Sequence, residues 1–148
     1  MGSLVRWRDD RGAELVELAL VLPVLLLVLG GIVDFGFLFK DFQVVTNAAR
    51  EGARVASLPT SVTADVQTRV NSYLSAGGLV PANATVTTDN VAVALDSVRS
   101  VSAVRVRVQY PHAYMVLGAL MQMVGAAPLG TTPLRGSATM RTELAAQP

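Results

Sequence analysis

The sequence predicts an α+β protein, in which a long N-terminal transmembrane helix continues into a small exported domain with a second helix and an antiparallel sheet of about four strands. Three observations lead to this fold class. An uncharged apolar run, Leu18 to Val33, passes into helix-compatible sequence. A later segment repeats apolar residues at the spacing of one helix face. Beyond it, apolar and polar residues alternate, as in half-buried strands. A helix followed by segregated strands is typical of α+β folds.

The first helix is long enough to cross a bilayer once. With the apolar residues of 15–16 and 35–39, the run reaches the ~20 residues that a hydrocarbon core requires. Pro23 removes one backbone donor, which transmembrane helices tolerate where neighbouring groups satisfy the backbone. A cleavable secretory signal is the competing interpretation, because it also has a basic start and an apolar stretch. It is disfavoured because Glu17 stands near the start of this run and no small-x-small site follows it.

Charges at the two ends of the run predict its orientation. Arg6, Arg8 and Arg11 precede it, and Lys40, the sole lysine, follows it. Because basic residues favour the cytoplasmic side, the N-terminus is expected inside and the remainder outside. Lys40 then marks the far membrane interface.

Small residues line one side of the helix beyond the membrane. No break interrupts the helical pattern before Leu58-Pro59, so a helix of about 40 residues would be roughly 60 Å long. Small side chains at this spacing let another backbone approach closely. The partner is either the chain's own domain or a neighbouring subunit. The residues concerned are Ala48, Ala49, Gly52, Ala53 and Ala56.

The exported part contains one further helix and several strands. Thr60 or Ser61 can cap a helix that ends at Gly77-Gly78. Strands are predicted near residues 84–88 and 91–97. Two more follow from strict alternation. Their apolar faces consist of Val104, Val106, Val108 and Tyr110 in one, and Leu134, Gly136, Ala138 and Met140 in the other.

The segment 113–124 is too apolar for an ordinary surface loop and too short to span a bilayer. A buried short helix is one interpretation. The other is an adaptable contact surface for another subunit, since methionines such as Met115, Met121 and Met123 suit surfaces that re-pack.

Composition argues against several kinds of chemistry. The formal charge is +1, which gives no reason to expect nucleic acid. There is no cysteine, and His112 is the only histidine, so one chain cannot assemble a histidine-dependent triad or a multi-histidine metal site. His112 is expected at a strand end beside Pro111. Asp65, Asp89 and Asp96 are expected on the solvated surface. We therefore expect no enzyme activity, no catalytic residues, no cofactor, no metal and no small-molecule substrate.

Four segments of the first helix carry a family resemblance. They are Gly12-Ala-Glu-Leu-Val-Glu17, Ala19-Leu-Val-Leu-Pro23, Gly31-Ile-Val-Asp-Phe-Gly36 and Asn47-Ala-Ala-Arg-Glu-Gly-Ala-Arg54. In their order and spacing they resemble the TadE-like family, the minor pilins or pseudopilins of tight-adherence (Tad or Flp) pilus systems. Residues 104–111 and 137–143 are similar to the family's closing strands, so the resemblance implies a pilin-like fold. It is specific over residues 12–56 and loose elsewhere.

The resemblance implies processing by a prepilin peptidase of the membrane. Gly12 would be the last residue of a cytoplasmic leader, 1–12, and Ala13 the new N-terminus. Glu17 would then be the assembly glutamate at the fifth mature position. A carboxylate at the apolar edge is itself a functional candidate. It can pair with the Ala13 ammonium of its own or an adjoining chain, or it can lie at the lipid interface beside Arg11.

The leading hypothesis is a structural and assembly component of a Tad-type pilus used for surface attachment. It divides the chain into the leader, a transmembrane and extended helix at 13–58 and an exported domain at 59–148. The implied partners are other pilin subunits, the prepilin peptidase, the assembly machinery of the inner membrane and membrane lipid. The implied location is the inner membrane, with the C-terminal domain outside, and the cell-surface pilus. The alternative is a permanently anchored extracytoplasmic binding or sensor domain.

Overall fold

A computed structural model describes residues 10–94, 96, 100–123, 125–127 and 129–142. Within these residues, three helices and three strands make up an α+β fold, so the predicted class is confirmed. Arg6 and Arg8, together with residues 95, 97 and 124 of the predicted segments, lie outside the described residues. The elements are α1 (Asp10–Ala56), α2 (Thr63–Ala76), β1 (Thr85–Ala94), β2 (Ser100–His112), α3 (Val116–Met123) and β3 (Thr132–Arg141), with a single 3₁₀ turn at Pro81–Asn83.

The sheet of the described residues has three strands in the order β1-β2-β3, both pairs antiparallel. The expected count of about four is not confirmed. The segments near 84–88 and 91–97 were expected to be two strands, but residues 85–94 form the single strand β1. Asp89 and Asn90 do not end it, because they lie in register opposite Arg105 and Val104. The Asp89 carboxylate also accepts a hydrogen bond from Arg107.

The core lies between the second half of α1, helix α2 and one face of the sheet. The alternation predicted for β2 and β3 is confirmed, since their apolar residues face α1 while their arginines lie on the opposite face. Val66, Val70 and Leu74 of α2 complete the core from the side.

Strand β3 crosses α1 at close backbone distance. A Cβ atom at Gly136 would lie 2.6 Å from the carbonyl oxygen of Val45 and 2.9 Å from Cα of Thr46. Only glycine leaves room there for the strand to lie on the helix backbone.

The first half of α1 has a different environment. From Gly12 to Leu29 every residue is exposed, although most are large and apolar. By length and composition α1 is able to cross a membrane. It is one continuous helix of 47 residues, and Pro23 lies inside it without ending it.

Candidate functional site

The residues predicted for processing and assembly lie on the first turns of α1. Gly12, Ala13 and Glu17 are exposed, and nothing lies within 4 Å of a Cβ position built on Gly12. Glu17 forms no hydrogen bond or ion pair with the described part of the chain. Its carboxylate is therefore open to lipid, solvent or another subunit.

The stripe of small residues lies farther along α1 and faces the chain's own domain. Ala48, Ala49 and Ala53 are fully buried, and Ala56 is partly buried. A Cβ at Gly52 would lie 2.7 Å from Val70 of α2 and 3.2 Å from Val106 of β2. Within one chain these residues thus pack against α2 and the sheet.

The opposite side of the same part of α1 faces outward. A shallow depression there is lined by Phe42, Gln43, Thr46, Asn47 and Arg50. Arg50 donates a hydrogen bond to the Asn47 side chain at 3.4 Å. In residues 42–50 of α1, this outward side is not covered by the chain's own domain and can contact another subunit.

Asp34 joins α1 to α3. Its side chain is 1% exposed and accepts three backbone hydrogen bonds. The amides of Met115 and Val116 donate to Oδ1 at 3.1 and 3.0 Å, and the amide of Leu117 donates to Oδ2 at 2.7 Å. The carboxylate therefore satisfies N–H groups that the first turn of α3 cannot bond internally.

Gly30 lies one turn before Asp34 and receives the side chains of α3. A Cβ at Gly30 would lie 3.0 Å from Val116 and 3.1 Å from Leu120. The predicted short helix of segment 113–124 is thus present, but it is not buried, because no residue of α3 is enclosed by the rest of the chain.

A buried histidine–aspartate pair lies next to the segment that leads into α3. His112 is 4% exposed, and its Nδ1 is 2.8 Å from Oδ2 of Asp41. His112 ends β2, as the sequence predicts, and its ring meets Tyr114 edge to face at 5.5 Å. The Tyr114 hydroxyl is 2.9 Å from Oγ1 of Thr132. This cluster ties the end of the sheet to α1.

Glu51 links α1 to α2 on the outer side of the core. Arg54 donates to its carboxylate at 2.7 Å, and Arg69 of α2 donates at 2.6 Å. These bonds, with Arg54 as the larger cause and Arg69 next, lower the pKa of Glu51 to about 2. Glu51 thus stays ionised and acts as a structural tie.

Within the described residues, no group of three or more His, Asp or Glu side chains could hold a metal ion. The described features are packing contacts between helices, an exposed apolar surface and hydrogen-bonded links between elements.

Sequence reasoning assigned no role to Asp34 or to the Asp41–His112 pair. Asp34 could have been recognised, since it is the single ionisable residue between Glu17 and Lys40 and acids within an apolar span are functional candidates. The Asp41–His112 pair joins residues 71 positions apart, and no local pattern in the sequence indicates it.

Residues 12–54 match the family model described as TadE-like protein. The match confirms the resemblance predicted from the four segments of α1. It covers most of α1 and none of the sheet. A search of curated proteins found no match. A search of solved structures also found none.

Proposed function

We propose that this chain is a minor pilin or pseudopilin, a structural and assembly component of a Tad-type pilus that serves surface attachment. One observation carries the proposal. α1 is a single helix whose first half exposes apolar side chains and whose second half forms the core of the folded domain. The TadE-like match falls on this same helix.

The exposed half of α1 supplies the surface for assembly. Between Leu18 and Leu29 every side chain is apolar and every residue is exposed, so this surface must be covered by lipid or by other helices. Apolar helices in a bilayer associate through close packing rather than through a hydrophobic driving force. A subunit leaving the membrane exchanges lipid contacts for contacts with other pilin helices. An inner-membrane machine made of other proteins supplies the work.

Glu17 sets the axial position at which neighbouring subunits pack against each other. In this proposal a prepilin peptidase cuts after Gly12 and creates an ammonium group on Ala13. Glu17 of an adjoining subunit then pairs with it. At 4 Å and an effective dielectric constant near 20, such a pair contributes about 4 kcal/mol before desolvation. The free carboxylate of Glu17 is compatible with this use, because no group of its own described chain occupies it.

The test compares membrane and sheared pilus fractions by immunoblot for the parent, Glu17→Ala, Glu17→Asp and the control Glu14→Ala. Glu17→Ala should insert into the membrane as the parent does, because an acid leaves the apolar edge. It should be depleted from the sheared fraction, since the docking subunit would bury an unpaired cation. Glu17→Asp should be intermediate, and Glu14→Ala should resemble the parent.

Two outcomes contradict the proposal in different ways. Equal release of Glu17→Ala and the parent would remove the pairing mechanism. A parent protein found only in membranes, in cells that make pili, would favour the alternative of a permanently anchored binding or sensor domain.

A further inference from the structure

We propose that α3 is a membrane-inserted foot: a short helix immersed among the phospholipid acyl chains of the outer leaflet and held at that depth by Asp34. The inference goes beyond the pilus role and depends only on α1 spanning the bilayer. Three observations support it: the position of α3 relative to the apolar part of α1, the hydrogen bonds of its first turn and its exposed surface.

The charges that bound the apolar part of α1 set the depth. Between Glu17 and Lys40, Asp34 is the sole ionisable residue. The 22 residues 18–39 rise about 33 Å, close to the ~30 Å of a hydrocarbon core. Asp34 is six residues before Lys40 and Gly30 is ten, so they lie about 9 Å and about 15 Å deeper. Because α3 contacts both, it lies at the depth of the acyl chains.

The hydrogen bonds at the first turn of α3 suit a site without water. In hydrocarbon, an unpaired backbone N–H costs several kcal/mol, so non-helical backbone is tolerated only where the protein satisfies it. The turn that leads into α3 meets this requirement, because Asp34 accepts from the amides of Met115, Val116 and Leu117. An acid near the N-terminus also complements the helix dipole. This need explains why a carboxylate interrupts an otherwise apolar span.

Apart from Gln122, the surface of α3 is apolar, and the helix packs beside α1 at Gly30. From Ala113 to Leu134 the sequence contains no Asp, Glu, Lys, Arg or His. The side chains of Met115 and Met123 are 69% and 84% exposed, beside a lower α1 that is also exposed and apolar. Large contiguous apolar patches are rare on water-facing surfaces. Lipid already surrounds the adjoining part of α1, so the same lipid covers α3.

A polar belt lies directly above the foot. Lys40 and Asp41 occur one to two turns after Asp34, and Asp41 meets His112 at 2.8 Å. Tyr114, whose ring is apolar and whose hydroxyl contacts Thr132, stands at the start of the segment that enters the membrane. Aromatic residues with a polar tip are enriched at this level of a bilayer. The polar belt and the apolar foot are thus separated by less than two helical turns.

The experiment places a tryptophan at the tip of the foot. The full chain carries Trp7→Phe, to remove its single tryptophan, together with Met123→Trp, and is reconstituted at low protein-to-lipid ratio in phosphatidylethanolamine and phosphatidylglycerol vesicles. A fraction of the lipid is brominated on its acyl chains. In the same Trp7→Phe background, Leu25→Trp, in the middle of the span, is the positive control. Leu58→Trp, in the exposed turn after α1, is the negative control.

Immersion predicts that the fluorescence of the Met123→Trp protein is blue-shifted and is quenched by brominated lipid several-fold more than that of the Leu58→Trp protein. Quenching no greater than in Leu58→Trp would overturn the proposal. A red-shifted emission would then indicate water around the foot, and a blue-shifted one would indicate a second copy of the chain. A Leu25→Trp protein that is not quenched would overturn the spanning of α1 and this inference together.

A second substitution tests the role of Asp34. Asp34→Ala should leave the quenching of the Leu25→Trp protein unchanged and reduce that of the Met123→Trp protein severalfold, because the first turn of α3 loses its acceptors and withdraws toward water. Asp34→Asn, which keeps one carbonyl acceptor, should be intermediate. Full quenching of Met123→Trp in the presence of Asp34→Ala would refute the anchoring role. Normal pilus incorporation of a Met123→Trp protein that lipid does not quench would overturn the foot and leave the proposed function intact.

Discussion

Replacing Gly136 by alanine should separate β3 from α1. The added methyl group would lie 2.6 Å from the Val45 carbonyl oxygen and 2.9 Å from Cα of Thr46, and both are backbone atoms that cannot rotate away. To reach an ordinary contact of about 3.4 Å, the strand and the helix must move apart by about 0.8 Å. That gap opens the core where Val45 and Ala49 are fully buried. Overpacking of this kind costs about 1 to 3 kcal/mol.

For a domain of this size, a loss of about 2 kcal/mol lowers the melting temperature by about 8 to 16 °C. The assay is a thermal melt of the full chain in detergent micelles, followed by the near-ultraviolet circular dichroism of the tyrosines, which include the buried Tyr110 of β2. Gly130→Ala is the matched control, because nothing lies within 4 Å of a Cβ there, and it should change the melting temperature by less than about 3 °C. If Gly136→Ala and Gly130→Ala have the same melting temperature, Gly136 of β3 does not lie against the backbone of Val45 and Thr46.

Three further predictions concern processing, topology and acid stability. Mass spectrometry of the native protein should find an N-terminus at Ala13 when the peptidase is present and at Met1 when it is deleted; an intact leader in both strains would refute cleavage after Gly12. Protease added outside spheroplasts should digest residues beyond Lys40 and spare the first ten, so a protected C-terminal domain would contradict the orientation. Glu51→Gln should lower stability by about 1 kcal/mol at pH 7, since both guanidinium partners are half exposed. The folded-state pKa of Glu51 is about 2 and its ordinary value is 4.5. The difference in stability between the parent and Glu51→Gln should therefore persist above pH 4.5 and shrink as the pH falls toward 2. A stability difference that stays constant down to pH 2.5 would refute this prediction.

Periodic elements were predictable from the sequence. The apolar faces of β2 and β3 were predicted correctly, because alternation places Val106 and Leu134 on the side that a helix must cover. The end of α1 was also predicted closely, since no residue before Leu58-Pro59 opposes a helix. Its observed end is Ala56, and a difference of two residues is within normal fraying at helix ends.

The failures have tertiary causes. β1 was predicted as two strands near residues 84–88 and 91–97, but Arg105 and Arg107 of β2 supply register and a charge partner that local propensity does not record. The short helix expected in segment 113–124 is present as α3; its expected burial was wrong, and its use as a contact surface for another subunit stays a prediction. Its position beside Gly30 and Asp34 depends on contacts across more than 80 residues, and no sequence period encodes them.

The continuity of α1 also governs how the domain is displayed. A glycine-rich tether between membrane and domain would let the domain swing freely, with a reach that grows only as the square root of its length. In the proposed membrane-spanning role, the helix that enters the bilayer is the same continuous helix that forms the domain's core, so the domain cannot tilt independently of it. The arginine-bearing outer face of the sheet, with Arg107 and Arg135, is consequently fixed relative to the axis of α1. Any tilt or rotation of the spanning helix therefore turns this charged face by the same angle.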